Sequence, residues 1–337
     1  MKFFQNISLK NYNTFGLDVQ TKYFYEFDSE DDLKQILQEN YLQNNKLLIV
    51  GQGSNLLFLN DFDGVVLHSA IKDIKVLEQK RDDVLLEVGS GVVWDDLVAY
   101  CVENHWWGIE NLSLVPGETG AAAIQNIGAY GAEIKDVVQK VKTIEIASSS
   151  SRIFDVTECG YGYRQSIFKK ELKDKFIITS VIIKLSCKAL LNLSYQHLEQ
   201  EVLKRGALNL QNIRNTIIEI RESKLPDPKV LGNAGSFFMN PVVAKDIYEA
   251  LQREYPQMPH YNVSATEEKI PAGWLIEQCG WKGKSTGNVG VHEKQALVLV
   301  NLGGAKGKEI AQLAHQIQIS VADRFGIELI PEVNFIS

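Results

Sequence analysis

The chain has 337 residues, of which 45% are hydrophobic and 23% charged, enough apolar material for two or three globular domains and too balanced for a disordered, collagenous or coiled-coil protein. Its 35 Lys+Arg against 42 Asp+Glu leave a formal charge of −7, which excludes a general nucleic-acid or polyanion binder but allows a local basic pocket. Cys101, Cys159, Cys187 and Cys279 form no Cys-x-x-Cys pair and the histidines no His-x-x-x-His spacing, so neither a disulfide scaffold nor a metal site is expected.

Residues 1–6 turn polar before a signal peptide could develop, and no apolar run approaches the about 18 residues of a membrane span, so a cytoplasmic chain is expected. Ser29-Glu30-Asp31-Asp32 has the form of a helix cap, with Leu33, Ile36 and Leu37 following at helical spacing. The apolar run 46–50 predicts a strand that stops at Gly51-Gln52-Gly53-Ser54-Asn55, and a second run, 56–59, follows at once. From about residue 70 the pattern turns β-rich, at 84–88, 143–146 and 176–185, with one short helix at Trp94, Leu97, Val98 and Cys101. Residues 148–151 read as a hairpin turn. Few helices between strands argue for an α+β fold with a mixed or antiparallel sheet rather than a βαβ series. Helical spacing returns at Ile213, Ile217 and Ile220 and must end at Leu225-Pro226-Asp227-Pro228, which sets a domain boundary near residue 221. Further helices are predicted at 247–251 and through Ile310, Leu313, Ile317 and Val321, the latter capped by Gly326.

Two glycine clusters carry the first chemical signal. Gly51-Gln52-Gly53-Ser54-Asn55 can form a concave nest of backbone N–H groups suited to phosphate, or simply a strand-to-strand turn. A dinucleotide fingerprint would need a third glycine where Leu56 stands. The stretch from Pro116 to Gly131 is almost free of side-chain bulk, so its backbone can line a flat or extended ligand, or open a tightly packed helix. Gly283-Lys284-Ser285-Thr286 lacks the earlier glycine of a phosphate-binding P-loop, since position 278 is Gln.

Several segments together resemble the UDP-N-acetylenolpyruvoylglucosamine reductases of peptidoglycan synthesis: Asn13-Thr14-Phe15-Gly16, Gly51 to Asn55, Pro116-Gly117 through Gln125-Asn126-Ile127-Gly128-Ala129-Tyr130-Gly131, Tyr161-Gly162-Tyr163-Arg164-Gln165-Ser166-Ile167-Phe168, Lys224-Leu225-Pro226-Asp227-Pro228, Gly232-Asn233-Ala234-Gly235-Ser236-Phe237-Phe238, Ala272-Gly273-Trp274-Leu275-Ile276, and Pro331-Glu332-Val333. The match runs nearly end to end, and the intact stretch holding Tyr195 is similar to the longer of the family's two structural types. The resemblance implies an α+β flavoprotein: two FAD-binding subdomains of the vanillyl-alcohol-oxidase type at 1–70 and 71–220, a substrate-binding domain at 221–332, and a tail, 333–337, returning toward the FAD unit. It implies FAD held by Gly51, Gln52, Gly53, Ser54, Asn55, Pro116, Gly117, Thr119, Gly120, Gln125, Asn126, Gly128 and Ala129. No histidine lies between Pro116 and Gly131, so the attachment is expected to be non-covalent. The segment 118–123 departs in detail from the long type, which leaves that loop's individual hydrogen bonds unassigned.

The implied reaction has NADPH reduce the flavin, which then reduces the enolpyruvyl double bond of the UDP-sugar to give UDP-N-acetylmuramate. Arg164 is implied to grip the developing carboxylate charge, Glu332 to assist in polarising it, and Ser236 to donate the proton. Tyr130, Tyr195, Lys224, Asn240, Tyr261, Lys282 and Gln295 match substrate contacts, the lysines as point charges and the others as neutral hydrogen-bonding groups. A monomer without nucleic-acid partners or a membrane span is expected. Two alternatives stand beside this: another FAD oxidoreductase of the same fold acting on a sugar or alcohol, and a non-catalytic protein that binds UDP-sugar or flavin.

Overall fold

The computed structural model describes residues 1–195 and 197–337. The chain divides into two compact units: one of residues 1–7, 21–52 and 63–223, the other of residues 8–20, 53–62 and 224–337.

The first unit is built on two sheets. One orders the strands Lys2–Ser8, Gln20–Phe27, Phe62–Ser69 and Lys46–Val50, the last two parallel. The other is a five-stranded antiparallel sheet ordered Ser151–Asp155, Val138–Glu145, Phe176–Ser186, Asp83–Gly89, Ile74–Gln79. Its central strand, 176–186, is buried along nearly its whole length, because both its faces meet apolar layers. Ile177 joins the core formed with Phe27, Leu33, Ile36, Val65 and Leu67. Val181, Ile183 and Leu185 join a second core with Leu86, Val88, Trp94, Leu97 and Val98. Each such fully buried aliphatic side chain contributes about 1.5–3 kcal/mol.

Helix Glu30–Leu37 starts where the sequence predicts, with the Ser29 hydroxyl accepting the Asp32 N–H. Helix Trp94–Glu103 carries Trp94, Leu97, Val98 and Cys101 on its buried face, and the Trp94 indole donates to the Leu112 carbonyl at 3.1 Å. The turn between strands 138–145 and 151–155 holds the serine run. Helix Leu210–Lys224 closes the unit and stops before the two prolines. The strand expected at 46–50 is present, but strand content begins earlier, at Lys2. Strand 2–8 is exposed almost throughout, so it shows no alternation of apolar and polar residues to read.

In the second unit the strands Gly232–Ser236, Val298–Asn301, Val289–Val291 and Ser285–Thr286 form an antiparallel sheet, and Val242–Ala244, Glu267–Lys269 and Tyr261–Asn262 a smaller one. Helix Gly307–Phe325 buries Ile310, Leu313, Ile317 and Val321 and ends at Gly326, whose φ of 64° is the left-handed cap the sequence predicts. Gly307 is required by close approach, since a Cβ there would stand 1.7 Å from the Phe58 carbonyl oxygen. The tail strand Asn334–Ile336 pairs in parallel with Leu56–Phe58 of the same unit. Among the described residues no helix is long and apolar enough to cross a membrane, and no group of His, Cys, Asp and Glu could hold a metal ion.

Candidate active site

Gly51 and Gln52, the part of the first glycine cluster that belongs to the first unit, meet the second cluster there. The Gln52 side-chain carbonyl accepts the Gly117 N–H at 3.1 Å, and a Cβ added at Gly51 would lie 2.9 Å from Oε2 of Glu118. Downstream, Thr119–Gln125 is a short helix whose Thr119 hydroxyl donates to the Val92 carbonyl. Gly120 is needed because its Cβ would stand 2.8 Å from that of Ser90. The helix ends at Asn126, a fully buried residue at φ 47°. Its Nδ2 donates to Glu133 and to the Gly162 carbonyl, while its Oδ1 accepts from Lys135 N–H. Gln125, Gly128 and Ala129 are half-buried beside it, and Pro116 is exposed at the loop's entrance. The cluster thus opens a packed helix, as one of its two readings expected.

Arg164 stands at the tip of a tight turn. Gly162 and Gln165 exchange backbone hydrogen bonds, so Tyr163 and Arg164 project between them. Arg164 has φ 55°, and its guanidinium donates to the Gly128 carbonyl at 2.9 Å. Leu114, Asn126 and Tyr130 also take positive φ, between 47° and 57°. Such conformations cost about 1–3 kcal/mol each outside glycine and gather where function imposes them. A Cβ at Gly162 would meet nothing within 4 Å, so the turn borders open space. Tyr130 and Tyr195 meet edge to face at 5.4 Å between ring centroids. Asn111 Nδ2 donates to the Tyr130 and Asn192 carbonyls, and Asn192 Nδ2 to that of Gly131, which ties the Tyr195 segment to the loop.

In the second unit Ser236, Glu332 and Asn55 converge. The Glu332 amide donates to the carbonyl of Phe237, the residue after Ser236, at 2.8 Å. The Asn55 amide donates to the Glu332 carbonyl at 3.1 Å. Ser236 ends its strand, exposed, opposite Val298. Gly235 before it has φ 67° and faces open space. Gly53, in the same unit, packs so closely that a Cβ would be 2.0 Å from the Tyr12 carbonyl oxygen, and Ser54 next to it is half-buried.

Residues 21–151 match the family described as FAD binding domain, and residues 227–336 match the UDP-N-acetylenolpyruvoylglucosamine reductase C-terminal domain. A UDP-N-acetylenolpyruvoylglucosamine reductase of Bacteroides fragilis is 51% identical over 98% of this chain and 99% of its own. Proteins of the same name from Porphyromonas gingivalis and Flavobacterium johnsoniae are 47% and 46% identical, covering 98% and 100% of both chains. The chain belongs to the UDP-N-acetylenolpyruvoylglucosamine reductase family. A crystal structure of such a reductase from Thermus caldophilus matches over 100% of both chains with a TM-score of 0.71 at 21% identity, which supports the fold. The family and the α+β fold with a vanillyl-alcohol-oxidase-type FAD domain are thus as the sequence led one to expect.

The other family-matched contacts are spread over the second unit. Asn240 Oδ1 accepts the N–H of Ala272, the first residue of helix Ala272–Gln278. Gln295 Oε1 lies 3.0 Å from where a Cβ on the next residue, Gly273, would be, so Asn240 and Gln295 gather at one helix start. Tyr261 is exposed on the smaller sheet, with Lys269 Nζ 5.7 Å from its ring centroid. Its strand is braced by Glu268, which takes Asn262 Nδ2 at 3.1 Å and His260 Nδ1 at 3.0 Å. Lys282 is paired with Glu277 at 3.0 Å, so it already shares its charge. Lys224 is exposed at the start of the unit's C-terminal segment.

Arg221 lies outside the segments that the sequence marks as functional. It precedes Lys224 by one helical turn on helix 210–224, a spacing that places both on one face and is the signal that could have found it. Burial pulls its guanidinium below the usual value, while Tyr130, which it faces, and Asp95 pull it back up. Burial likewise raises the Tyr130 phenol, and Arg221 opposes that rise. Two cationic groups, Arg164 and Arg221, therefore flank the Tyr130 loop inside an acidic chain.

The loops suit FAD by their chemistry. Gly51 and Gly120 pack closely, against the Glu118 carboxylate and the Ser90 side chain, and the Gln52 amide and Thr119 hydroxyl beside them are polar groups of the kind that hydrogen-bond a diphosphate or a flat ring system.

Proposed function

We propose that this protein is an NADPH-dependent flavoenzyme that reduces the enolpyruvyl group of UDP-N-acetylglucosamine enolpyruvate to give UDP-N-acetylmuramate. FAD, when bound, supplies the chemistry of taking a hydride from NADPH and passing it to the terminal carbon of the enolpyruvyl double bond. Gly51, Gln52, Gly53, Ser54, Asn55, Pro116, Gly117, Thr119, Gly120, Gln125, Asn126, Gly128 and Ala129 would hold it, non-covalently.

The residues of the chain then have three tasks. Hydride addition leaves negative charge beside the substrate carboxylate, and Arg164, permanently cationic and bidentate, stabilises it. Glu332 assists by polarising that carboxylate, and Ser236 delivers the proton to the carbon next to it, so one hydride and one proton are added and NADPH leaves as NADP+. A serine hydroxyl is a poor acid in water, but it protonates a strongly basic enolate once water is excluded. Tyr130, Tyr195, Lys224, Asn240, Tyr261, Lys282 and Gln295 bind the UDP-sugar, the lysines acting on its diphosphate. The observation that supports this reading is the backbone hydrogen bond from the Glu332 N–H to the carbonyl of Phe237, which brings the chain at Glu332 beside the strand end that carries Ser236.

The domain division that goes with it is 1–70, 71–220 and 221–332 with the tail 333–337, in a cytoplasmic monomer; light scattering on a sizing column tests the last point. The reaction is tested by incubating the holoenzyme with NADPH and the enolpyruvyl UDP-sugar in D2O. Product gaining two hydrogens, with deuterium at the carbon next to the carboxylate, is the expected result. Oxidation of a sugar without NADPH would overturn the proposal.

A further inference from the structure

His68 is a buried histidine outside the chemistry described so far. It lies on strand Phe62–Ser69 with Nδ1 3.2 Å from Glu26 Oε2 and Nε2 3.1 Å from Glu118 Oε1. The side chains of His68 and Glu118 are 9% and 7% exposed, so water does little to screen them. Only imidazolium can donate from both ring nitrogens to the two carboxylates they face; the neutral ring turns a lone pair on one of them. Around His68, strand Gln20–Phe27 brings Glu26 and the stacked Phe24 ring, strand Lys2–Ser8 brings Lys2, 2.6 Å from Glu26, the strand Lys46–Val50 brings Val50, and the flavin loop brings Glu118. Glu26 thus holds a second cation when His68 is neutral, whereas Glu118 leans on His68.

Glu118 matters because of what it touches. Its Oε2 lies 2.9 Å from the position a Cβ on Gly51 would take, and its neighbour Gly117 is bonded to Gln52. The two segments taken above to hold FAD are therefore clasped at Gly51-Gln52 and Gly117-Glu118, with His68 behind the clasp. We propose that protonated His68 is a positioning residue for the flavin site: by holding Glu118 against Gly51 it keeps the two loops in their FAD-retaining form, and FAD retention weakens as His68 loses its proton. The proposal rests on the FAD reading above. Burial lowers the affinity of His68 for its proton, but Glu118 and Glu26 outweigh it and leave the value above the ordinary 6.5. The sign follows: the clasp is complete below pH 6.5 and is lost as pH rises through the higher folded-state value.

The experiment measures the FAD dissociation rate of the holoenzyme by flavin fluorescence on dilution, from about pH 5.5 to about pH 9, the range in which histidine titrates. Wild type is expected to release FAD at least about tenfold faster at the high end, with the step above pH 6.5. His68→Gln should release quickly at every pH. Glu118→Gln, whose amide can donate to a neutral ring, should lose the step and retain FAD at high pH. Because either variant could fail to fold, each is checked by circular dichroism, and one folded variant is enough. A flavin-bound wild type with a flat profile, or a step that persists in either variant, overturns the proposal alone. A wild type that binds no flavin at any pH overturns the FAD reading and the proposal with it.

Discussion

Asp95 and Arg214 form the ion pair on which the approach to the second glycine cluster depends. The Arg214 guanidinium meets both Asp95 oxygens, at 2.7 and 2.9 Å, with the side chains 11% and 25% exposed. Asp95 also accepts the N–H of Leu114, a residue at φ 57° two positions before Pro116. Burial would raise the Asp95 carboxyl, but Arg214, the Leu114 amide and Arg221 hold it below its ordinary value of 3.8. Breaking a buried pair costs about 3–5 kcal/mol, and the partial exposure of Asp95 moves the expected loss for Asp95→Asn to about 2–3 kcal/mol. For a unit of this size that is a fall of about 4–12 °C in melting temperature. The assay is a double-mutant cycle of Asp95→Asn and Arg214→Met by thermal and urea unfolding, with an expected coupling of about 1.5–3 kcal/mol. Since the folded-state value is depressed, this stabilisation is present above pH 3.8 and disappears as pH falls through the lower value. A coupling below about 0.5 kcal/mol would refute the reasoning.

Gly53→Ala places a Cβ 2.0 Å from the Tyr12 carbonyl oxygen on a residue at φ 64°, so unfolding in urea should show a loss of at least about 2 kcal/mol. Asn240→Ala removes the acceptor of the Ala272 N–H, and a melt should register about 0.5–2 kcal/mol of destabilisation, the range for a lost helix cap. Ser236→Ala alters an exposed strand end and should leave the melting temperature unchanged. In rapid mixing it should slow enolpyruvyl reduction by about 10² to 10⁴ while NADPH still reduces the flavin at its normal rate; equal slowing of both would remove Ser236 from the proton-donor role.

Much of the fold was legible because periodic burial leaves a trace. Ser29 as a cap, the buried face of helix 94–103 and the Gly326 terminus all follow from side chains that must meet a core or satisfy a helix end. Strand 2–8 was invisible for the opposite reason: its residues face solvent and are held by pairing, not by a pattern. Glycine clustering pointed to the loops, yet the contacts that organise them are made by Gln52 and Glu118, whose partners lie 65 residues away or beyond reach of any local rule. Ser236 and Glu332 could be named only through kinship, since nothing local distinguishes a serine in a glycine turn or a carboxylate near a C-terminus. Their connection through Phe237 is a tertiary fact. Arg221 carries little local signal because a charged residue on a helix reads as solvated, and its burial against Tyr130 is a property of the packed fold.

The most direct test of the account is stopped-flow absorbance of the holoenzyme under anaerobic conditions. NADPH should bleach the flavin band, and the enolpyruvyl UDP-sugar, mixed second, should restore it with formation of one UDP-N-acetylmuramate per flavin. A flavin band that NADPH leaves unchanged, or that returns only on admission of oxygen, would contradict it.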